Sequence, residues 1–354
     1  MADKVLMKGN EALAEAAIQA GCHHFFGYPI TPQTEVAAFM SKTMPKIGGT
    51  YLQAESEIAA INMVLGAASA GVRAMTSSSS PGISLKGEGI SYIAGSDLPC
   101  LIINVQRGGP GLGGIQPSQA DYWQATKATG HGDFQILVFA PSTVQEMVDY
   151  VFKAFDLADT YRMPAMILAD GMLGQMMEPV EVKKPESSAI PPKTWATNGH
   201  EGKRAHNVIN SLFLKPDELE KIIVERFKRY EIIKQKEARA ENYFTDDAEL
   251  VLVAYGATSR IVKSAVKTAR EKGLKVGAVR PITLWPFPEK ALKEVAKTAK
   301  AFLTVEMSMG QMVDDVRLAI DCSRPVHFFG HTGGIIPTPN EVLEQIEKIM
   351  GGAK

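Results

Sequence analysis

Three short segments in the first third of the chain carry side chains suited to chemistry. They are Tyr28-Pro29-Ile30-Thr31-Pro32, Gln53-Ala54-Glu55-Ser56-Glu57 and Gln106-Arg107-Gly108-Gly109-Pro110. Each follows a short apolar run and precedes a helical stretch or a glycine-rich loop. Open α/β sheets place ligands at such points, at the carboxyl ends of their strands. The segments offer a hydroxyl in a stiff turn, a carboxylate entering an apolar helix and a guanidinium in a flexible loop. Such a set can orient a heterocyclic cofactor and grip a small anionic substrate.

Glu57 heads a run in which Asn62 and Ser69 are the only polar side chains before Gly71. The alanines and glycines of this run allow another backbone to come close, as at a helix or subunit contact. Desolvation there raises a carboxyl pKa, while a helix N-terminus favours the anion. The alternative is a carboxylate that only complements the helix dipole, or a capping box with Glu55 or Ser56. Arg107 leaves the strand-like run Leu101–Val105 and enters Gly108-Gly109-Pro110-Gly111-Leu112-Gly113-Gly114. Arginine suits bidentate carboxylate recognition; the alternative is a surface side chain in a loose loop. Thr31 sits between Pro29 and Pro32, which restrict the backbone around its hydroxyl; an ordinary turn into a helix would look the same. Thr76-Ser77-Ser78-Ser79-Ser80 offers either an anion nest or a hydroxyl-rich N-cap. His131, among glycines, is a secondary acid–base candidate. His23, His24, His327 and His331 lack metal-ligand spacing and read as structural.

The elements that must position these residues alternate. Over residues 1–182 the pattern predicts strands at His24–Tyr28, Thr50–Gln53, Val72–Ser77, Pro99–Val105, Phe134–Ala140 and Pro164–Ala169. Helices are predicted at Gln33–Met44, from Glu57, at Gly82–Ala94 and at Thr143–Thr160. The near-continuous apolar strands imply burial on both faces, and the alternation implies a parallel sheet with crossover helices. Residues 183–247 read as a linker arm followed by a long charged amphipathic helix, Asp217–Tyr243, bridging two domains. Residues 248–354 resume the alternation as a second, smaller α/β domain.

A chain of 354 residues with 45% apolar content and net charge −1 is globular and suits two domains. That charge gives no case for nucleic acid or for a basic membrane patch. Cys22, Cys100 and Cys322 form no C-x-x-C pair, so the chain itself offers no metal or iron–sulfur framework. Sparse cysteines and the start Met-Ala-Asp-Lys point to a cytoplasmic protein without a signal peptide. The longest apolar helix, starting at Ile58, is too short and too polar to span a bilayer.

Taken together, these segments resemble the alpha subunit of the 2-oxoacid:ferredoxin oxidoreductases, most of all the 2-oxoisovalerate members. The resemblance rests on GYPITPQTE at 27–35, QAESEIAAINM at 53–63, MTSSSSPGISLKGEGISY at 75–92 and RGGPGLGGIQPSQADY at 107–122. It continues in ADGMLGQM at 169–176, LVLVAYGATSR at 250–260, VGAVRPITLWPFP at 276–288 and VEMSMGQM at 305–312. It implies a thiamine diphosphate pyrimidine-binding domain over 1–182 and a transketolase C-terminal-like domain over 248–354. Glu57 would meet N1′ of the aminopyrimidine, with the backbone of Tyr28, Pro29 and Ile30 bordering the ring. Thr31 and Arg107 would bind the carbonyl and carboxylate of the substrate.

The resemblance also implies the reaction: a 2-oxoacid plus CoA gives acyl-CoA, CO2 and reduced ferredoxin. No Gly-Asp-Gly with a downstream Asn is present to hold a diphosphate through a metal. The resemblance implies that Mg2+ and the diphosphate-binding domain sit on a separate beta subunit. The [4Fe-4S] clusters are expected on a ferredoxin-like subunit, beside a gamma subunit whose segment is not appended after residue 354. Pyruvate, 2-oxoglutarate or an aryl 2-oxoacid stay open as substrates. A lipoamide-linked or transketolase-like enzyme and a non-catalytic scaffold are the competing classes.

Overall fold

The computed structural model describes residues 4–127, 130–183 and 190–351; Met1–Asp3, Thr129 and positions 184–188 of the expected arm lie outside the described residues. The first part of the chain runs β1 (Val5–Lys8), α1 (Gly9–Gln19), β2 (His24–Gly27), α2 (Thr34–Thr43), β3 (Thr50–Gln53), α3 (Glu57–Ser69), β4 (Ala74–Ser78) and α4 (Pro81–Gly95). It continues with β5 (Cys100–Gln106), α5 (Tyr122–Thr126), β6 (Leu137–Phe139), α6 (Val144–Tyr161), β7 (Pro164–Asp170), α7 (Gly171–Gln175) and β8 (Met177–Val180). Then come α8 (Pro216–Glu237), β9 (Ala240–Tyr243), β10 (Leu250–Val253), α9 (Thr258–Glu271), β11 (Val276–Pro281) and β12 (Thr283–Trp285). The chain closes with α10 (Glu289–Ala296), β13 (Ala301–Glu306), α11 (Met312–Ala319), β14 (Val326–Gly330) and α12 (Pro339–Gly351).

The larger sheet has the order β12-β6-β7-β5-β4-β2-β3. All neighbours are parallel except β12, which runs antiparallel to β6. Its centre is the pair β5–β7, in register from Cys100 opposite Pro164 to Gln106 opposite Asp170. Both strands are buried along their whole length, as continuous apolar runs require of a sheet covered on both faces. Strand order reverses beside β4, so the exits of β2, β4 and β5 open on one crevice. The second sheet, β14-β13-β10-β11-β9, is parallel except for β9. A separate antiparallel pair, β1–β8, closes the outer side of α1.

The expected alternation does not include β1, α1, α5, α7 or β8, and two segments further along depart from it as well. The charged helix ends at Glu237 rather than Tyr243, and Ala240–Tyr243 becomes β9, paired with Ala278–Pro281. Pairing with β11 outweighs the helical charge pattern, a tertiary override of local preference. The helix does touch both halves. Its Arg226 and Arg229 hold Asp97 at 3.1 and 2.5 Å, and Tyr230 packs edge-on against Trp285 with ring centroids 5.3 Å apart. Trp285 lies on β12, which leaves the second sheet and adds an edge to the first; three residues without alternation gave no strand signal.

The two sheets are also joined by polar groups that burial forces to pair. Arg280 on β11 donates through both terminal nitrogens to Glu146 on α6, at 2.8 and 2.6 Å, and through Nε to Glu241 at 2.8 Å. Burial pushes the Glu146 carboxyl up, but Arg280 and the Ser142 donors pull it further down, to below its ordinary value. We expect Arg280→Ala to cost about 3–5 kcal/mol in chemical denaturation at pH 7, because one buried partner is left uncompensated. A depressed carboxyl contributes stability above its unfolded pKa and loses it as pH falls through the folded value. The gap between variant and wild type should therefore narrow below about pH 4.5, the ordinary glutamate value.

Candidate active site

The crevice is built outward from the exit of β4. Thr76, Ser77, Ser78 and Ser79 are all fully buried, and strand alternation sends neighbours to opposite faces. Ser77 donates to Gln33 Oε1 at 2.5 Å, and Gln33 donates through Nε2 to the Tyr28 carbonyl at 3.2 Å. Gln33 thereby braces the turn Tyr28–Pro32, whose Thr31–Pro32 peptide is cis. Ser78 faces the other way, against Gly82 in the first turn of α4.

Ser80 closes the exit with φ +24°. Its hydroxyl donates to Asp121 Oδ2 at 2.6 Å and accepts the Arg107 backbone N–H at 3.1 Å. Asn104 donates to the same Asp121 oxygen at 3.0 Å and accepts the Ser80 N–H at 3.2 Å. Burial pushes the Asp121 carboxyl up, and the Ser80 and Asn104 donors offset part of that rise. The serine run is thus not a hydroxyl-rich N-cap: the hydroxyl of Ser80, at the N-cap position, makes no capping bond.

Arg107 and Thr31 are brought together. The guanidinium donates to the Thr31 carbonyl at 3.0 Å and to the Leu112 carbonyl at 3.1 Å, while Nε is buried without a partner. The following loop is closed by a Gly114 N–H to Gly108 O bond of 2.9 Å. At Gly113, with φ +59°, a Cβ would lie 1.8 Å from the Gly108 oxygen, so a side chain is excluded there. Arg107 is 7% exposed, whereas Leu112 at the loop tip is 84% exposed. Thr31, Tyr28 and Pro29 are exposed and Ile30 is half-buried.

Glu57 is the first residue of α3, and Ser56 caps that helix by accepting the Ala59 N–H at 3.2 Å. The Glu57 side chain folds onto α4: its Oε1 lies 2.7 Å from the point where a Cβ on Gly82 would sit. Glu57 is only 6% exposed, yet it accepts no hydrogen bond among the described residues. A nearly buried carboxylate without a donor is an acceptor waiting for one.

His131 lies apart from this crevice, with its ring exposed and edge-on to Tyr92. His331 meets Glu341 at 3.2 Å. Among the described residues no group of three or more His, Cys, Asp or Glu side chains is arranged to hold a metal ion, and no helix is long and apolar enough to cross a membrane. Sequence reasoning passed over Gln33, Asn104, Asp121 and Lys86. Asn104, a lone amide inside an apolar strand, was the one visible sign; the others look like surface residues until the fold buries them.

Residues 15–244 match the thiamine diphosphate-binding family of the pyruvate flavodoxin/ferredoxin oxidoreductases, and residues 248–342 match core domain II of pyruvate:ferredoxin oxidoreductase. The chain belongs to this oxidoreductase family. It is 48% identical to the ketoisovalerate oxidoreductase subunit VorB of Methanothermobacter thermautotrophicus over 98% of each chain. It is 36% identical to the 2-oxoglutarate synthase subunit KorA of Methanothermobacter marburgensis, covering 99% of this chain and 100% of that one. Its fold matches the 2-oxoglutarate:ferredoxin oxidoreductase from Magnetococcus marinus, solved with 2-oxoglutarate, coenzyme A and succinyl-CoA bound, with a TM-score of 0.88 and 28% identity. That match covers 98% of this chain and 65% of the Magnetococcus chain.

Because Ser80 is donor to a buried carboxylate and acceptor for the Arg107 N–H, Ser80→Ala should cost about 1–3 kcal/mol. Urea denaturation of the chain measures this. Hydrogen exchange at the Arg107 amide should rise in the same variant.

Proposed function

We propose that this chain is one subunit of a thiamine diphosphate-dependent 2-oxoacid:ferredoxin oxidoreductase acting on branched-chain 2-oxoacids such as 2-oxoisovalerate. The reaction would convert the 2-oxoacid and CoA to acyl-CoA and CO2, with electrons passing to ferredoxin. The carrying observation is Glu57, a shielded carboxylate with no donor of its own that packs on the first turn of α4, at the β4 exit to which Arg107 is tied through Ser80. The 48% identity to ketoisovalerate subunits, against 36% to a 2-oxoglutarate subunit, favours the branched-chain substrate.

The chemistry divides among the residues as follows. Thiamine diphosphate, when bound, supplies the acidic C2 carbon and the electron sink for decarboxylation. Glu57 has a free acceptor for the N1′ side of the aminopyrimidine, beside the exposed backbone of Tyr28, Pro29 and Ile30. Arg107 is held by two backbone carbonyls, which a carboxylate replaces with a stronger, charge-assisted pair. The Thr31 hydroxyl, with no hydrogen bond among the described residues, can donate to the substrate carbonyl. Residues 1–182 would form the pyrimidine-binding unit, 183–247 the connecting arm and helix, and 248–354 the transketolase-like unit. A beta subunit would bring Mg2+ and the diphosphate site. A ferredoxin-like subunit would bring the [4Fe-4S] clusters, beside a gamma subunit, all in the cytoplasm.

The test is purification of the native assembly without oxygen, identification of the co-eluting chains, and a 2-oxoacid panel with viologen or lipoamide as acceptor. Viologen reduction fastest with 2-oxoisovalerate is expected; activity only with lipoamide overturns the proposal. Glu57→Gln should abolish C2–H exchange of bound thiamine diphosphate in a folded assembly, followed by proton NMR in deuterated buffer. Arg107→Ala should raise the substrate KM at least tenfold and lower kcat with it, in line with about 1.4 kcal/mol per decade for a lost charge-assisted pair. An unchanged KM removes Arg107 from substrate binding.

A further inference from the structure

Lys86 is the most anomalous side chain in the protein. It lies in the middle of α4, is 0% exposed, and its Nζ has no hydrogen-bond partner. A buried ammonium without a partner is costly, and proteins retain one only where something compensates it.

Its position in the helix shows what does. Residues 82, 86 and 89 fall on one face of α4, at spacings of four and three. Gly82 and Gly89 both adjoin α3. A Cβ on Gly82 would meet Glu57 Oε1 at 2.7 Å, and a Cβ on Gly89 would meet Ile61 Cγ2 at 2.4 Å. Glu57 and Ile61 are themselves one turn apart on α3. The two helices therefore touch along a seam from Glu57–Gly82 to Ile61–Gly89, and Lys86 stands inside it. Helical side chains tilt toward their N-terminus, so the Lys86 stem runs back toward Gly82 and the Glu57 carboxylate. The buried hydroxyl oxygens of Thr76, Ser78 and Ser79 also lack partners. Ser78 Oγ touches the same Gly82 site, 2.1 Å from that Cβ position. Burial, partly offset by the charge of Glu57, leaves the Lys86 amine lowered to about 8.

We propose that Lys86 is a positioning residue for Glu57: its ammonium, enclosed in the α3–α4 seam behind the carboxylate, keeps Glu57 ionised and aimed at the cofactor nitrogen. Burial in general disfavours a charged carboxylate, and a neutral acid accepts poorly. An enclosed cation on the far side reverses that preference without occupying the front of the carboxylate. The step moves no electrons; it fixes where one proton resides, on the cofactor side of Glu57 rather than on its carboxyl. This inference rests on the cofactor role given to Glu57 above.

The test uses the assembly with its partner chains at pH 7, with wild type, Lys86→Met, Lys86→Arg and Glu57→Gln. The first readout is the infrared carboxyl band of Glu57, assigned by its loss in Glu57→Gln. The second is C2–H exchange of bound thiamine diphosphate. Wild type should show Glu57 as carboxylate. Lys86→Met, which keeps the stem's volume, should show a protonated carboxyl band and at least tenfold slower exchange, and Lys86→Arg should restore the carboxylate. A Glu57 carboxylate in Lys86→Met with exchange within twofold of wild type overturns the proposal. So does a protonated Glu57 in the wild type, a reading that needs no variant to assemble. Exchange surviving in Glu57→Gln would overturn the cofactor role instead, while the infrared band would still decide whether Lys86 sets the charge of Glu57.

Discussion

Ser80 holds a backbone conformation that serine avoids. At φ +24° it costs of order 1–3 kcal/mol relative to a relaxed serine, and the surrounding bonds must outweigh that. Asn104 holds its N–H, Asp121 takes its proton and the Arg107 N–H fills its lone pair. Each partner comes from a different piece of the site: Asn104 from β5, Arg107 from the strand exit, Asp121 from the connection to α5. The sharp turn at Ser80 lets β4 end and α4 begin within two residues. Without it, Gly82 would not lie under Glu57 and Arg107 would not be tied to the β4 exit. Backbone strain at one residue thus sets the relative placement of the carboxylate and the guanidinium.

The small residues after Glu57 serve a nearer purpose than a partner surface alone. Ala60, Ile61 and Val64 are buried, with the two α4 glycines admitting α3 on this side. The outward side of the same helix carries Ile58, which is half exposed. One face of α3 is therefore spent within the chain, which explains why an alanine-rich helix must be matched by glycines at 82 and 89. A side chain on either glycine would separate the helices and draw Glu57 away from Lys86.

The parallel sheets and the three site segments were legible because their signals are local. Apolar runs such as Leu101–Val105 give buried strands, and Pro-Ile-Thr-Pro gives a braced turn. What escaped notice depends on distant pairing. Ala240–Tyr243 reads as helix until β11 supplies a partner, and Thr283–Trp285 is too short to show alternation. Ser77–Ser80 reads as one hydroxyl cluster, yet Ser77, still on β4, goes to Gln33, while Ser80, past the strand end in a positive-φ turn, goes to Asp121. Lys86, between Leu85 and Gly87, has the pattern of a solvated helix residue; its burial follows from glycines four residues before and three after, a spacing meaningful only once α3 is known to lie there. The structure joins Thr31 and Arg107 through the Thr31 carbonyl rather than its hydroxyl.

The second domain acts on the site through the loop that Arg107 begins. Gln119 donates to the Tyr255 carbonyl at 2.9 Å, and its Oε1 accepts from Thr258 at 2.8 Å and from the Met307 N–H at 3.1 Å. Met307 is positioned by its neighbour Glu306, a fully buried carboxylate that accepts the N–H groups of Gln311, Met312 and Val313 and so caps α11. Burial pushes the Glu306 carboxyl up, while those amides offset part of the rise. Closer to Arg107, Gly108 approaches Gly333, and a Cβ on Gly334 would lie 2.4 Å from the Gln116 side chain. Both ends of the 108–116 loop therefore lie against the Gly333-Gly334 turn that follows β14, while Leu112 at its tip stands in solvent. The carbonyl that occupies Arg107 belongs to that free tip, and the carbonyl on the other side belongs to the braced Thr31 turn. The guanidinium is thus bonded on one side to the exposed tip and on the other to the braced turn, so its orientation is set from two independent segments.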